Sequence, residues 1–255
     1  MSSKIKYIPL HDSGNSVRIH LPSNKIVTCI VSIQFFSFIF CIIWSILYNF
    51  EDSTSTHCHV YNFLPSISAA IGSYTPQRYV WNTAITLALF PRLCVAFLYQ
   101  KLYTELLIPK ASSLKNFAGF LNTTENFMLV GLSYWSSKDY YSIHKTCFLT
   151  FIATSEIYMI LTCLLLRTSR NKPLTKKQSR SLNYKWRCLI INIISFMIAG
   201  YFFVRHNTYC EPGVYSLFAL SEYIVVLTNI AFHITAALDF SNVVLTLGKI
   251  SVYFS

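Results

Sequence analysis

Apolar residues along this chain come in blocks long enough to cross a bilayer, separated by short polar segments. A spanning helix needs about 20 mostly apolar residues. The first block, about residues 26–48, holds no charge and follows a polar stretch with Lys4, Lys6, Arg18 and Lys25. It is too long for the apolar core of a cleaved signal peptide, and no small-residue cleavage site follows it, so it predicts an uncleaved first span. Further blocks lie at about 79–103, 116–135, 144–166, 186–204 and 214–238. Pro91-Arg92 interrupts the second. Asn122, Glu125 and Asn126 make the third the weakest, and the stretch after Asp239 is too short to span. The pattern predicts an all-α, polytopic membrane protein. Its six-transmembrane-helix bundle covers 26–238, between an N-terminal segment 1–25 and a tail 239–255.

Composition points the same way. Hydrophobic residues make up 53% and charged residues 12%, about half the charged share of a soluble domain. The net charge of +11 could suggest nucleic acid. The basic residues, however, sit between the apolar blocks, where they set membrane topology, so no nucleic-acid partner is expected. With the N-terminus inside, sixteen of the 21 Lys and Arg, Lys185 and Lys249 among them, fall on inner segments, four fall outside, and Arg92 lies within a span. This bias predicts cytosolic termini and an even number of spans; omitting the third would put a basic loop on the wrong side.

Eight cysteines without a C-x-x-C pair suggest neither a zinc knuckle nor a redox dithiol, and no metal site is expected. Six lie within or beside apolar blocks, as small packing residues do. Cys58 and Cys210 instead fall in two outer loops, 51–78 and 205–213. An oxidising compartment would join them in a disulfide; the alternative is two free thiols. The sole glycosylation sequon, Asn122-Thr123-Thr124, falls within a span and should go unused.

Ionisable groups at membrane depth are costly and mark functional sites by default. Arg92, Glu125, Glu156 and Asn192 lie roughly 16–20 Å from the outer ends of their spans, at 1.5 Å per residue. Glu222, Asn229 and His233 follow one stripe of the sixth helix, and Asn122 and Glu125 share a face of the third. Two explanations compete. Arg92 pairs with Glu125 or Glu156 and the asparagines bridge helices, or these groups line a cavity for a lipid headgroup or polar ligand, with Arg92 meeting an anion. A proton or ion path ranks lower, because no pair of broken helices accompanies it.

No G-x-S-x-G, Walker A, H-E-x-x-H or G-x-G-x-x-G motif occurs. The His-x4-Asp spacing of many glycerolipid acyltransferases is absent; His206 with Glu211 comes nearest. A Cys58–Cys210 bond would bring His57 and His206 together at the outer surface, where either could act as a general base on a lipid hydroxyl. Equally, both could be ordinary loop histidines.

Two long segments carry a resemblance: TSTHCHVYNFLPSISAAIG followed by PQRYVW (Thr54 to Trp81), and RHNTYCEPGVYSLFALSEYIVVLTNIAFHITA (Arg205 to Ala236). Shorter ones are FCIIWS (Phe40 to Ser45), PRLCVAF (Pro91 to Phe97), LNTTEN (Leu121 to Asn126), SIH (Ser142 to His144) and IINIISF (Ile190 to Phe196). Over nearly its whole length the chain resembles the post-GPI-attachment-to-proteins factor 2 family. The resemblance implies a multi-pass protein of the Golgi or endoplasmic reticulum membrane that remodels the fatty acids of GPI anchors. The family is needed when a lyso-GPI intermediate is reacylated at sn-2 with a saturated chain. The implied partners are membrane lipid, lyso-GPI, GPI-anchored proteins and a further protein of the remodelling pathway. No cofactor is implied beyond an acyl donor, acyl-CoA or phospholipid, if the chain is itself the acyltransferase. It could instead bind and present GPI lipid to a separate enzyme, or act as a lipid transporter or scramblase. Glu156 falls outside the family pattern, which leaves Glu125 as the preferred partner of Arg92.

Overall fold

The computed structural model describes residues 19–72 and 74–247. Lys4, Lys6, Arg18 and Lys249, used above for topology, lie outside the described residues. Six long helices run back and forth: α1 (Ser23–Tyr48), α4 (Gln77–Leu106), α5 (Ser112–Tyr134), α6 (Tyr141–Thr168), α7 (Lys176–Tyr209) and α8 (Val214–Ile234). Short helices α2 (Phe50–Thr54) and α3 (Ile67–Gly72) lie in the long loop after α1, and α9 (Ala236–Asp239) follows α8.

The helix limits have local causes. Thr175 and Gln178 form a reciprocal capping box at the start of α7. Cys210, in the left-handed region at φ 51°, ends it. Gly213, at φ 78°, turns the chain into α8, a backbone conformation that costs glycine little. Pro91 lies inside α4 and withholds one N–H from its ladder just before Arg92. α5 and α6 approach closely at Gly131, where a Cβ would sit 2.7 Å from Cys147 Sγ.

Five of these helices, with α8 and α9 counted together, are long and apolar enough to cross a membrane. α5 is the exception, for the reason its sequence suggests: Asn122, Glu125 and Asn126 all lie on it, and all three are buried. The outward faces are apolar, with Phe90, Leu87, Leu47 and Met197 largely exposed. A soluble surface would not expose such groups so densely, whereas lipid contact accounts for them. The chain is an all-α polytopic membrane protein.

A two-stranded antiparallel sheet adds a feature the apolar pattern does not predict. β1 (Ile19–Pro22) pairs with β2 (Val244–Leu247), with Ile19 opposite Leu247. The segments before α1 and after α9 therefore meet at one end of the bundle. Cys58 and Cys210, joined in a disulfide, mark the other end.

Two apolar clusters form the core. One, towards the sheet end, includes Leu98, Tyr103, Tyr158, Leu165 and Phe232. The other, towards the disulfide end, includes Phe38, Ile71, Trp81, Ala219 and Tyr223. Along α1, α4, α5 and α8 the positions between the two clusters are polar: Gln34, Arg92, Glu125 and Asn229.

The sheet end also corrects one assignment. The charge pattern counts Lys185 as an inner-loop cation, but it lies on α7 and is wholly buried. Its Nζ donates to Ser181 Oγ at 2.7 Å and Thr235 Oγ1 at 2.6 Å, and meets Asp239 Oδ2 at 2.5 Å. Tyr99 OH donates to the same carboxylate oxygen at 2.7 Å. Asp239, taken above as the first residue of the tail, is thus part of the interior. A buried ammonium persists only with such full pairing.

Candidate functional site

The polar layer is built around Arg92. Its guanidinium donates to Asn126 Oδ1, to Gln34 Oε1 at 3.0 Å and to Glu125 Oε1 at 3.5 Å. Glu125 is wholly buried. Its Oε1 also accepts from Ser155 Oγ at 3.3 Å, Asn229 Nδ2 at 3.3 Å and His233 Nε2 at 3.0 Å. A carboxylate only accepts, so His233 Nε2 carries the proton here. The 3.4 Å approach of Arg92 to that same nitrogen is then a contact between two donors. Asn122 supports the layer from below, its backbone carbonyl and side-chain oxygen accepting from Asn126 Nδ2 at 2.7 and 3.1 Å. Asn192 donates to Val225 O and Thr228 Oγ1, each at 2.8 Å, and so fastens α7 to α8.

Above this layer, towards the disulfide end, lies a cavity of about 340 Å³, within the range of small-molecule sites. Arg92, Asn192, Asn229, Ser155, Glu156 and Glu222 contribute to its lining. Its walls are otherwise mostly apolar, from Trp81, Phe148, Phe151, Phe196 and Phe218. Leu149 of α6 and Gly200 and Phe203 of α7 line it while remaining exposed, so its open side lies between these two helices. The helices share a core cluster at the sheet end, which includes Leu165, Leu166, Leu182 and Leu189. A Cβ placed on Gly200 would meet no atom within 4 Å. The structure thus combines both explanations offered for the buried polar groups. Arg92 and Glu125 are paired, and Arg92 also borders the cavity. Glu156 does not pair with Arg92; it lies in the wall, and its Oε2 is buried without a hydrogen-bond partner among the described residues.

The loop after α1 caps the disulfide end, held down by α8. Ser216 Oγ accepts from the N–H groups of Phe63 at 2.7 Å and Leu64 at 3.1 Å. Tyr223 OH donates to Pro65 O at 2.5 Å, and Glu222 Oε2 accepts from Ile67 N at 3.2 Å. Glu222 therefore lies where its stripe on the sixth long helix places it, but holds backbone as well as lining the cavity.

His57, His206 and Glu211 gather at this end without forming one constellation. The His57 and His206 rings lie 5.6 Å apart. His206 is buried, with Nε2 3.2 Å from Thr56 Oγ1 and no partner for Nδ1 among the described residues. Glu211 is not oriented towards His206. It receives Arg205 Nε at 2.6 Å and Nη2 at 3.0 Å, and this hydrogen-bonded guanidinium holds its carboxyl below the usual carboxylate range. None of the three lines the cavity. His57, Cys58 and Cys210 lie close enough to share a metal ion, but with the two sulfurs bonded to each other only the imidazole could act as a ligand.

One contact escapes the sequence motifs. Ser68 on α3 and His144 on α6, both lining the cavity, lie 3.0 Å apart through Oγ and Nε2. His144 Nδ1 is 2.7 Å from Trp135 O. Both residues fall in segments quoted for the family resemblance, Ser68 within Thr54 to Trp81 and His144 in Ser142 to His144, but nothing in the sequence pairs them.

Comparison with known proteins finds a family and close relatives. Residues 23–243 match the Frag1/DRAM/Sfk1/Cwh43P N-terminal domain. Over 225 residues the chain is 47% identical to Post-GPI attachment to proteins factor 2 of Drosophila melanogaster, covering 88% of each protein. It is 45% identical over 234 residues to the protein of that name from Drosophila pseudoobscura pseudoobscura, covering 92% of this chain and 91% of the relative. Acyltransferase PGAP2 of Xenopus tropicalis is 44% identical over 214 residues, with 83% and 85% covered. No solved structure matches the chain. The length and closeness of these matches place the chain in both the Frag1/DRAM/Sfk1/Cwh43P family and the family of post-GPI attachment to proteins factor 2.

Proposed function

We propose that the chain acts in GPI-anchor fatty-acid remodelling, taking lyso-GPI into the cavity and serving its reacylation at sn-2 with a saturated chain. The observation that carries this is the cavity itself: an apolar chamber with a polar floor, open towards the bilayer between α6 and α7. A lipid entering sideways keeps its tail among the phenylalanines and leaf-facing side chains. Its headgroup stays near the capped end, and Arg92, on the floor, keeps guanidinium N–H groups beyond the three it donates within the layer for any ester or anionic oxygen that reaches that depth. The names of the relatives support the pathway.

The membrane is that of the Golgi or endoplasmic reticulum, with the disulfide end luminal and both termini cytosolic. α5 serves as the sixth span. This count is supported by parity: the sheet brings the two ends of the described chain together, which an odd number of crossings would separate. Its buried asparagines and glutamate are satisfied by neighbouring helices, as polar groups at depth must be.

The test is to restore cells lacking this activity with wild type or with Gly200→Trp, and to analyse the acyl chains of their GPI-anchored proteins. The indole would enter space that is open beside Gly200, so the variant should fold, and its replacement of a mid-helix glycine favours the helix. Wild type should restore saturated sn-2 chains, and the variant should leave lyso-GPI unconverted. Full remodelling by a folded Gly200→Trp protein would defeat the cavity assignment. Binding of lyso-GPI by purified protein with no transfer from any donor would instead favour a presenting role.

A further inference from the structure

We propose that Ser68 and His144 are the nucleophile and general base of acyl transfer, acting through an acyl-Ser68 intermediate at the capped end of the cavity. The proposal rests on the remodelling function above and assigns its reacting groups.

The hydrogen bonds fix the roles. The carbonyl of Trp135 can only accept, so at 2.7 Å it requires the proton of neutral His144 to sit on Nδ1. Nε2 is then bare and accepts the hydroxyl proton of Ser68 at 3.0 Å. This is the tautomer a base needs, with the ring held by a third group, as in hydroxyl–imidazole nucleophile pairs generally. Both side chains border the cavity and both are only partly buried, so a lipid can reach them. Ser68 is placed from behind: Glu222 holds the N–H of the preceding residue, and Tyr223 holds Pro65.

A second hydroxyl–imidazole contact, Thr56 with His206, provides the contrast. His206 Nδ1 has no orienting partner among the described residues, and neither residue lines the cavity. Of the two pairs, Ser68–His144 alone combines a fixed tautomer with access to the lipid chamber.

The reaction balances without any redox partner. Ser68 Oγ attacks the acyl carbonyl of a donor ester or thioester, and its proton passes to His144 Nε2. The Oγ–C bond forms as the bond from the carbonyl carbon to the donor's oxygen or sulfur breaks, and His144 returns the proton to that leaving atom. The sn-2 hydroxyl of the lysolipid then attacks acyl-Ser68. Its proton moves to His144 and onward to Ser68 Oγ as the Oγ–C bond breaks, leaving an ester on the lipid and free serine.

The full chain in nanodiscs can be treated with a long-chain alkyl fluorophosphonate, and the labelled residue located by peptide mapping. Ser68 should carry the adduct, and His144→Ala should slow labelling about a hundredfold, the usual scale for losing a general base. Intact mass after incubation with stearoyl thioester, or in parallel with diacylphospholipid, then tells which donor acylates Ser68. Ser68→Cys should still accept an acyl group, which checks that the cap folds when Ser68→Ala shows none. A wild type left unlabelled at Ser68, an adduct on Thr56 instead, or transfer at the wild-type rate by Ser68→Ala would each overturn the assignment. Lyso-GPI binding separates the two levels. Ser68→Ala should bind as wild type does, whereas loss of the cavity function itself would show as lyso-GPI binding that Gly200→Trp leaves unchanged.

Discussion

Arg92 and Glu125 show how a charged pair is kept inside an apolar bundle. The guanidinium reaches α1 and α5, and the carboxylate collects donors from α4, α6 and α8. Removing one partner strands the other. Glu125→Ala should cost about 3–5 kcal/mol, while Arg92→Met with Glu125→Met should be closer to wild type, because neither charge of the pair is left without the other. Thermal unfolding in detergent measures this, and a double variant less stable than either single one would contradict it. At the exposed end the sign of a pH effect can also be stated. Arg205 lowers the Glu211 carboxyl in the folded state, so its stabilisation is present above the unfolded carboxylate value of about 4.3 and fades as pH falls through the lowered folded value. Glu211→Gln should therefore melt slightly earlier at neutral pH and no earlier in strong acid. At this scale the sequence was readable where burial follows from depth along a span. Arg92, Glu125, Asn192 and Asn229 all proved interior. It was unreadable where burial depends on a neighbour. Lys185 sits at the edge of an apolar block, and a loop lysine there looks the same as one that meets Asp239 across two helices.

The elements divide along the same line. Length and apolarity are properties of a continuous stretch, so the long helices are legible as such, and α5 is weak for visible reasons. The cavity is not, because it arises where α6 and α7 separate after packing at their sheet ends. α3 is a single short turn inside a polar loop, and its serine meets a histidine 76 residues away. What holds α3 in place is the row of α8 groups beneath the cap. Ser216→Ala would leave the N–H groups of Phe63 and Leu64 without their acceptor, at about 1–3 kcal/mol for a buried donor. Hydrogen exchange over 61–67 should then quicken while α4 keeps its protection. Unchanged exchange in that segment would mean the cap is held elsewhere.

For the molecule as a whole, the direction of each helix follows from the ends it joins. α5 runs from the sheet end to the turn beside Ser68 and His144. If α5 crosses the membrane, a glycosylation site engineered into 136–140 will be modified, and one engineered into 171–174 will not. Modification at both sites, or at the second alone, would refute the six-span arrangement. The disulfide carries a consequence of another kind. With a sequence separation of 152, it makes α3 to α7 one covalent ring, from which α1 and α8 emerge as tails. A protease that cuts the exposed connection between α6 and α7 would open the ring without parting the pieces, and two fragments would appear only after reduction. The ring also cannot close until the 152 positions from Cys58 to Cys210 have been made. A chain interrupted earlier carries Cys58 as an unmatched thiol, so a finished molecule and an unfinished one differ in a feature that a thiol-reading quality control can detect.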